Sequence, residues 1–406
     1  MSSIALESTN TAERLLLLLS RLNLSEADQN AAKELIARGC DWARLRELSM
    51  LHGVFPLIAR SLGQIRSPQV PQTLTWFLEA QVLANGQRNA RLREDWLHLL
   101  SLFAKHQVRV IPIKGIALAE SAYGDINLRA FSDLDFFVHE KDLDRSKQML
   151  CENGYDADYP LPDFFDHRTR ANRYEIVFFS RGPAPNRTMV ELQFQIAPRA
   201  LAVNVDTNGI FGRAVSKEQD GIPMLRMSSE DMLLYLCVHV WKHAWCRLKW
   251  ICDLSAFLGA TPVPWDAFFQ QAAATHVEPI VASSLLIARG LVSAPIPEDA
   301  LSTLNRWNIV ANPYQKYVEG ISLPPEFPGS AAKQYRFWMS FRPRLADRWQ
   351  MFRTLLQPTE TDFQMIRLPH SLFFVYYALR PFLLIWKMLR PETAKTQSHK
   401  DEALAF

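Results

Sequence analysis

The sequence predicts an α+β fold in which a small mixed β-sheet lies between mostly helical flanking segments. Three observations support this prediction. Apolar residues recur at three- and four-residue spacing before residue 105 and again after residue 227, which is typical of amphipathic helices. Between these regions, short β-branched and aromatic runs alternate with helical patterns and Gly-containing turns. The 406 residues, 48% of them hydrophobic, provide enough apolar material for two or three domains.

Residues 1–105 are predicted to form an N-terminal helical segment. The helical spacing is clearest in AERLLLLLSRL, which begins at Ala12, and in the long stretch 74–106. Ser25, followed by Asp28, predicts the N-terminal cap of a second helix. The Leu-rich start lacks a preceding positive region, so we interpret it as part of a helix and not as a secretory leader.

The α/β core is predicted between residues 106 and 226. A helix should follow the Lys114-Gly115 turn, and another should end at Gly154. The loop SRGPAPNR contains Gly and two Pro residues, which is typical of a hairpin connection between the last two strands. The predicted strands are 108–113, 133–138, 173–179 and 188–196.

Helical patterns return after this core. Residues 227–330 are predicted to form a helical domain that completes the substrate cleft, beginning with one helix over 229–258. Residues 331–406 are predicted to form a basic, aromatic helical segment with a disordered end.

The basic segment allows three interpretations. Residues 331–390 contain ten Lys or Arg residues against three Asp or Glu residues. The segment could pack on the protein's own core, contact an anionic membrane surface or bind nucleic acid. A membrane-spanning helix is not predicted over 368–389, because Arg380 lies near its middle and costs about 2.5–3.5 kcal/mol there. Pro381 interrupts the same stretch.

Charge and cysteine content narrow the class of protein. A formal net charge of +3 is too small to indicate nucleic-acid binding by itself. The five cysteines lack CxxC spacing, which indicates reduced thiols and predicts a cytoplasmic protein.

Asp133 and Asp135 are the most informative residues of the chain. They are two apart in a predicted strand, so their side chains should project from the same face. Two adjacent carboxylates repel each other unless a cation joins them, and Mg²⁺ prefers such oxygen ligands. Glu191, between Val190 and Leu192 in a later strand, could face the same point. Three converging carboxylates can hold two metal ions, so all three are predicted catalytic and metal-binding residues.

This arrangement resembles the DNA polymerase β-like nucleotidyltransferase superfamily. KGIALAESAYGDINLRAFSDLDFFV (114–138), the following ENGY, and HVWKHAWCRLKWICDL (239–254) more narrowly resemble nucleotidyltransferase family 5, described as uncharacterised nucleotidyltransferases. The resemblance implies a polymerase β-like sheet and an acidic triad of Asp133, Asp135 and Glu191. Two positions depart from the family pattern. Lys-Gly replaces the usual Gly-Ser, and Glu191 and Gln193 stand where relatives tend to have Asp and His.

Residues around the Gly turn are predicted to bind the nucleotide. The ammonium of Lys114 and the backbone N–H of Gly115 could meet the triphosphate. Arg129 could pair with the carboxylates or with phosphate, and Ser132 should support the loop before the Asp133 strand. A solvated strand-end lysine remains the alternative for Lys114.

The predicted helix 229–258 supplies further nucleotide-binding candidates. His239 and His243 are four residues apart, and Lys249 follows on the same predicted helix. Zinc is not predicted, because the central Glu of HExxH is missing and no third ligand is apparent. The alternatives are a wall of the nucleotide pocket and an aromatic stripe in the core; Lys249 and Asp253 could form a simple helix pair.

The sequence therefore predicts a nucleotidyltransferase that needs Mg²⁺ or Mn²⁺. It would transfer an NMP group from an NTP to an unidentified acceptor, which could be a small molecule, a peptide or protein, or RNA. The alternative is a catalytically degenerate nucleotide- or partner-binding module of the same fold.

Overall fold

The computed structural model describes residues 11–158, 166, 169–183, 186–308 and 331–389. The chain divides into two compact units that are built from interleaved segments. Unit 1 comprises Met1–Trp96, Ile113–Phe131 and Met227–Phe327. Unit 2 comprises Leu97–Pro112, Ser132–Arg226 and Pro328–Phe406. The organisation into four consecutive segments stays a prediction.

The described elements confirm an α+β protein. The helices before the sheet are α1 (Thr11–Leu19), α2 (Glu26–Ala37), α3 (Trp42–Leu51), α4 (Phe55–Ile65) and α5 (Gln72–Lys105). The strands are β1 (Val110–Pro112), β2 (Asp133–Val138), β3 (Tyr155–Ala157), β4 (Glu175–Ser180), β5 (Met189–Gln193), β6 (Val215–Gln219) and β7 (Ile222–Arg226). Between the strands lie α6 (Gly115–Leu118), α7 (Leu143–Glu152) and α8 (Thr207–Arg213). After them come α9 (Ser229–Lys242), α10 (Leu248–Ala260), α11 (Trp265–Ala274), α12 (Glu278–Val292), α13 (Glu298–Trp307), α14 (Ala331–Ser340), α15 (Leu345–Leu355), α16 (Glu360–Met365) and α17 (Val375–Leu389).

Unit 1 is helical. The predicted cap of α2 is confirmed: the Ser25 hydroxyl accepts from the backbone N–H of Asp28, whose carboxylate accepts from the Ser25 N–H. The two bonds satisfy donors that a helix N-terminus otherwise leaves without partners. The leucines of α1 are buried, as the apolar pattern predicted.

The mixed sheet belongs to unit 2. Its strand order is β1-β2-β5-β4-β3, with β2 and β5 parallel and the other neighbours antiparallel. Alternate residues of β2, such as Leu134 and Phe136, are buried on one face. The ring of Phe103, from the last turns of α5, packs on that of Phe136 with centroids 5.1 Å apart. The acidic side chains are therefore left to the opposite face.

Two parts of unit 2 were not predicted as strands. β3 follows α7 directly and pairs with β4 at the sheet edge. The β6-β7 hairpin is mostly exposed, with no alternating apolar pattern in VSKEQ to indicate it. Short edge and surface strands carry weak sequence signals, because they bury few side chains.

The prediction of one helix over 229–258 is wrong. α9 ends at Lys242 and α10 begins at Leu248. Between them, Ala244 and Trp245 adopt left-handed conformations, with φ of 50° and 54°. The buried indole Nε1 of Trp245 donates to Oγ of Ser284 on α12 over 3.1 Å. This tertiary contact compensates for a conformation that non-Gly residues rarely adopt.

The described part of the C-terminal segment packs within unit 2. Arg380 is buried, and its guanidinium donates to both carboxylate oxygens of Asp362, over 2.6 and 2.9 Å. Arg342 donates to the carbonyl of Ala202 over 2.6 Å. In the part of the chain that the structure describes, every helix is too short or too polar to cross a membrane. Contact with a membrane surface or with nucleic acid stays a prediction, and residues 390–406, with the predicted disordered end, lie outside the described residues.

Candidate metal centre

The sheet of unit 2 brings the three predicted acids together. Asp135 on β2 lies directly opposite Glu191 on the parallel strand β5, and Asp133 lies two residues earlier on the same face. One ligand oxygen from each of the three carboxylates lies within 4.8 Å of the other two. The prediction that these side chains meet is confirmed. We call Asp133, Asp135 and Glu191 the acidic triad.

Burial makes this convergence costly without a cation. Asp135 and Glu191 are each only 4% exposed, and Asp133 is half-buried. Two like charges about 4.8 Å apart repel by about 3.5 kcal/mol at an effective dielectric constant of about 20. The oxygen-only donor set fits a hard divalent cation such as Mg²⁺ or Mn²⁺. Across the described residues, this is the one group of three or more His, Cys, Asp or Glu side chains whose ligand atoms converge.

Gln193 is a site residue that the sequence marked only as a departure from the family pattern. Its Nε2 donates to Oδ1 of Asp135 and to Oε2 of Glu191, over 3.2 Å in each case. Gln193 is fully buried two residues after Glu191, so it shares the face of the triad. The amide therefore orients two of the three carboxylates. In the sequence, the position of Gln193 two residues after Glu191 in a predicted strand was the signal that it shares a face with the triad.

Unit 1 contains a buried group of basic side chains, which we call the cationic cluster: the cations Lys114, Arg129 and Lys242 and the imidazole of His239. All four side chains are less than one tenth exposed. Burial, with the positive charge of Lys114 as the next cause, holds the pKa of His239 well below its usual 6.5. Neither ring nitrogen of His239 has a hydrogen-bond partner among the described residues. A buried imidazole beside cations is a suitable contact for an anionic ligand.

Arg129 lies in this cluster with a partner that the sequence did not predict. Its Nε and Nη2 donate to the two carboxylate oxygens of Asp253, each over 2.8 Å. The hydroxyl of Tyr123 also donates to Asp253, over 2.8 Å. Burial, followed by the charge of Asp253, raises the pKa of Tyr123 well above 10.0. Asp253 thus balances the guanidinium of Arg129.

Lys249 contacts the loop that precedes β2, while its pairing with Asp253 stays a prediction. Its Nζ donates to the carbonyl of Ala130 over 3.3 Å. Its aliphatic stem passes Gly53 so closely that a Cβ at position 53 would lie 2.8 Å from Cδ of Lys249. Gly53 therefore permits this path both through its missing side chain and through its φ of +66°.

The remaining predicted residues occupy both units. In unit 1, the imidazole of His243 packs against His239 and Trp250, with ring centroids 4.9 and 4.7 Å away, and those two rings also contact each other. Trp250 lies on α10, so the predicted stripe forms across two helices and not along one. Gly115, with φ of 47°, begins α6. Ser132 is half-buried in unit 2, directly before β2.

Comparison with known proteins adds one match. The family model described as "Uncharacterised nucleotidyltransferase" matches residues 38–293, well over half of the 406-residue chain. The matched span includes the acidic triad, Gln193 and the cationic cluster. No curated protein matches the sequence.

Proposed function

Because this chain belongs to the family of uncharacterised nucleotidyltransferases, we propose that it is a metal-dependent enzyme that transfers an NMP group from an NTP to an acceptor. Pyrophosphate would be the second product. The observation that carries this proposal is the convergence of Asp133, Asp135 and Glu191 within 4.8 Å on one face of the sheet. A strand pair without a cation gains nothing from burying such a group.

The acidic triad would hold Mg²⁺ or Mn²⁺. When bound, such ions neutralise the triphosphate and lower the pKa of an attacking hydroxyl. Asp133 and Asp135, two residues apart on the same face of β2, would hold the ions. Glu191 lies on the neighbouring strand, where its carboxylate can take the proton of the acceptor hydroxyl.

The reaction balances in atoms and charge. The acceptor oxygen forms a bond to the α-phosphorus, and the bond from that phosphorus to the β-phosphate oxygen breaks. Pyrophosphate leaves with the electron pair of the broken bond. The hydroxyl proton passes to the carboxylate of Glu191 and from there to solvent.

The cationic cluster of unit 1 supports the proposal that the ligand is a nucleotide. All four of its side chains are buried, and the guanidinium of Arg129 is bound to Asp253. A polyphosphate supplies several negative oxygens at once and suits such a cluster better than a neutral ligand. The nucleotide-binding roles of Lys114, Gly115, Arg129, Ser132, His239, His243 and Lys249 belong to this proposal.

Nucleotidyl transfer can be tested directly. The purified protein would be incubated with each α-labelled NTP and Mg²⁺ or Mn²⁺, with pools of small molecules, peptides or RNA as acceptors. We expect label to appear on one acceptor class, with release of pyrophosphate. Asp133→Asn and Asp135→Asn should each abolish both products. Asp156→Asn, at an exposed aspartate of the same sheet, is the matched control and should retain them.

The outcomes separate the two functions that the sequence predicted. Equal turnover by Asp135→Asn and the unaltered protein would contradict metal catalysis by the triad. NTP binding without transfer to any acceptor would favour the degenerate binding module. In that case, Mn²⁺ binding would be measured for Asp135→Asn and for the unaltered protein. Weaker binding by Asp135→Asn would show that the triad still serves as a metal site.

A further inference from the structure

A second feature of unit 2 lies on the same sheet as the acidic triad. A cavity of about 350 Å³ opens beside β4. Small-molecule sites have volumes of about 300–1,000 Å³, so this cavity has room for one small ligand. Its lining includes Asn172, Arg173, Glu175, Val177, Thr359 and Thr361.

Strand register places this cavity next to the triad. Val177 of β4 lies directly opposite Glu191 of β5, and Glu175 lies opposite Gln193. Directly opposed residues of antiparallel strands project from the same face, with Cβ atoms about 4.5–5.5 Å apart. The wall formed by Glu175 and Val177 therefore borders the residues that hold and orient the candidate metal ligands.

The polar lining indicates the chemistry of the ligand. Glu175 and Asp158 contribute carboxylates, while Thr361 and Asn172 contribute polar groups that can form hydrogen bonds. The cation of the lining, Arg173, is already bound through Nη1 to Asp166 over 2.7 Å. Asp166 also accepts from Lys147 and Arg170, so Arg173 is held in an ion-pair group at the cavity wall. Such a cavity favours hydroxyl and amine groups and disfavours phosphate.

The far wall of the cavity is preformed. Thr359 begins α16, where its hydroxyl and the Asp362 carboxylate form a capping box. The buried guanidinium of Arg380 binds that carboxylate, and Asn172 donates to the carbonyl of Pro358 over 3.3 Å. Five residues from three parts of the sequence thus join the wall to the segment that precedes β4, so a ligand would meet a fixed surface.

We propose that this cavity is the acceptor site and that the acceptor is an unphosphorylated polyol, neutral or amine-bearing, about the size of a monosaccharide. The assignment rests on the nucleotidyl transfer proposed above. One hydroxyl of the polyol would lie beside Glu191, and its oxygen would form the new bond to the α-phosphorus as pyrophosphate leaves. Glu175, Asp158 and Thr361 would bind the other hydroxyl or amine groups. A phosphorylated acceptor, including an RNA end, would bring its charge against Glu175 and Asp158.

The test measures ligand binding without any nucleotide. Glucose, glucosamine and glucose 6-phosphate share one ring and differ in charge, so they serve as neutral, cationic and anionic probes. Saturation-transfer NMR and calorimetry on the full chain should show binding of glucosamine and glucose, with glucose 6-phosphate about tenfold weaker or more. Glu175→Gln and Thr361→Val should each weaken glucosamine binding about tenfold. Glu218→Gln, on the exposed β6, is the matched control.

Each result decides the assignment. Tighter binding of glucose 6-phosphate, binding that Glu175→Gln leaves unchanged, or no binding of the three probes would overturn it. Melting curves of the variants show whether they are folded. If Glu175→Gln does not fold, Thr361→Val provides a second test of the same cavity. A further result separates the two proposals: the protein could bind sugar in a way that depends on Glu175 and yet transfer no NMP. That result would refute the proposed transfer, and the cavity would remain a polyol-binding site.

Discussion

Nε2 of Gln193 donates a hydrogen bond of 3.2 Å to Oδ1 of Asp135, across the parallel strands β5 and β2. The same nitrogen donates to Glu191, so one amide stabilises two buried carboxylates. The resemblance to nucleotidyltransferase family 5 predicts His at this position, so Gln193 is a departure from the expected pattern. In the structure it supplies the N–H donor that the position needs.

Replacement of Gln193 by Leu should destabilise the metal-free protein. The substitution keeps a buried side chain of similar size and removes the donor from both carboxylates, which should lower the free energy of unfolding by about 1–3 kcal/mol. Urea unfolding in a chelator measures this. Saturating Mn²⁺ should reduce the difference, and Gln193→His, which restores an N–H donor, is the control. Equal stability of Gln193→Leu and the unaltered protein in chelator would show that the amide does not stabilise the pair.

Glu191→Gln should lower turnover more than it lowers NTP affinity. The proposed base is lost, and general-base contributions are about 10²–10⁴-fold in rate. NTP affinity should change less, because Asp133 and Asp135 remain to bind a metal–nucleotide complex. Single-turnover rates and equilibrium NTP binding separate the two effects, with Glu191→Asp as the control that keeps a carboxylate. Unchanged turnover would move the third acid elsewhere, and Glu175, opposite Gln193, would be the next candidate.

Lys242→Met should weaken binding of inorganic tripolyphosphate. Lys242 is buried in the cationic cluster, and Met keeps the apolar stem without the charge. Loss of one charge-assisted contact should lower affinity about tenfold. Calorimetry with tripolyphosphate measures this without requiring catalysis. The exposed Lys33 of α2 provides the control, Lys33→Met, and an equal effect of both substitutions would contradict a specific site.

His239 should make the stability of unit 1 depend on pH. Burial and neighbouring cations depress its folded-state pKa below 6.5, so the unfolded chain binds the proton more readily. The contribution of the neutral imidazole is therefore complete above about pH 6.5 and decreases as pH falls towards the folded-state pKa, by at most about 1.4 kcal/mol per pH unit. His239→Phe should remove this slope. Unfolding free energies of both proteins between pH 7.5 and about 5 test it; parallel curves would contradict the assignment.

The sequence predicted the acidic triad better than its surroundings, and the reason is local. Asp133 and Asp135 share a face by strand periodicity alone, and Glu191 lies in an equally clear strand, so the triad could be found without a structure. The salt bridge between Arg129 and Asp253 joins residues 124 positions apart, and no local pattern indicates it. The break after Lys242 depends on a tertiary contact of Trp245, while HAWCR contains neither Gly nor Pro.

Asp253→Asn should be among the most destabilising single substitutions in unit 1. Asp253 and Arg129 are 2% and 4% exposed in their side chains, and the guanidinium binds both carboxylate oxygens. Asn keeps the shape but removes the charge, which leaves a buried cation beside other cations. Breaking a buried pair in this way costs about 3–5 kcal/mol.

A matched pair and a second substitution test the cause of that loss. Asp156 and Arg181 form a bidentate pair that is more than half exposed, so Asp156→Asn should destabilise the protein far less than Asp253→Asn. In the Asp253→Asn background, Arg129→Met should recover part of the lost stability, because it removes the uncompensated charge. Urea unfolding of the unaltered protein, Asp253→Asn, Arg129→Met and the double variant gives the coupling energy between Asp253 and Arg129. Two results would show that the salt bridge does not stabilise this part of unit 1. Asp253→Asn could lower the free energy of unfolding no more than Asp156→Asn does. Alternatively, Arg129→Met could destabilise the Asp253→Asn protein as much as it destabilises the unaltered protein.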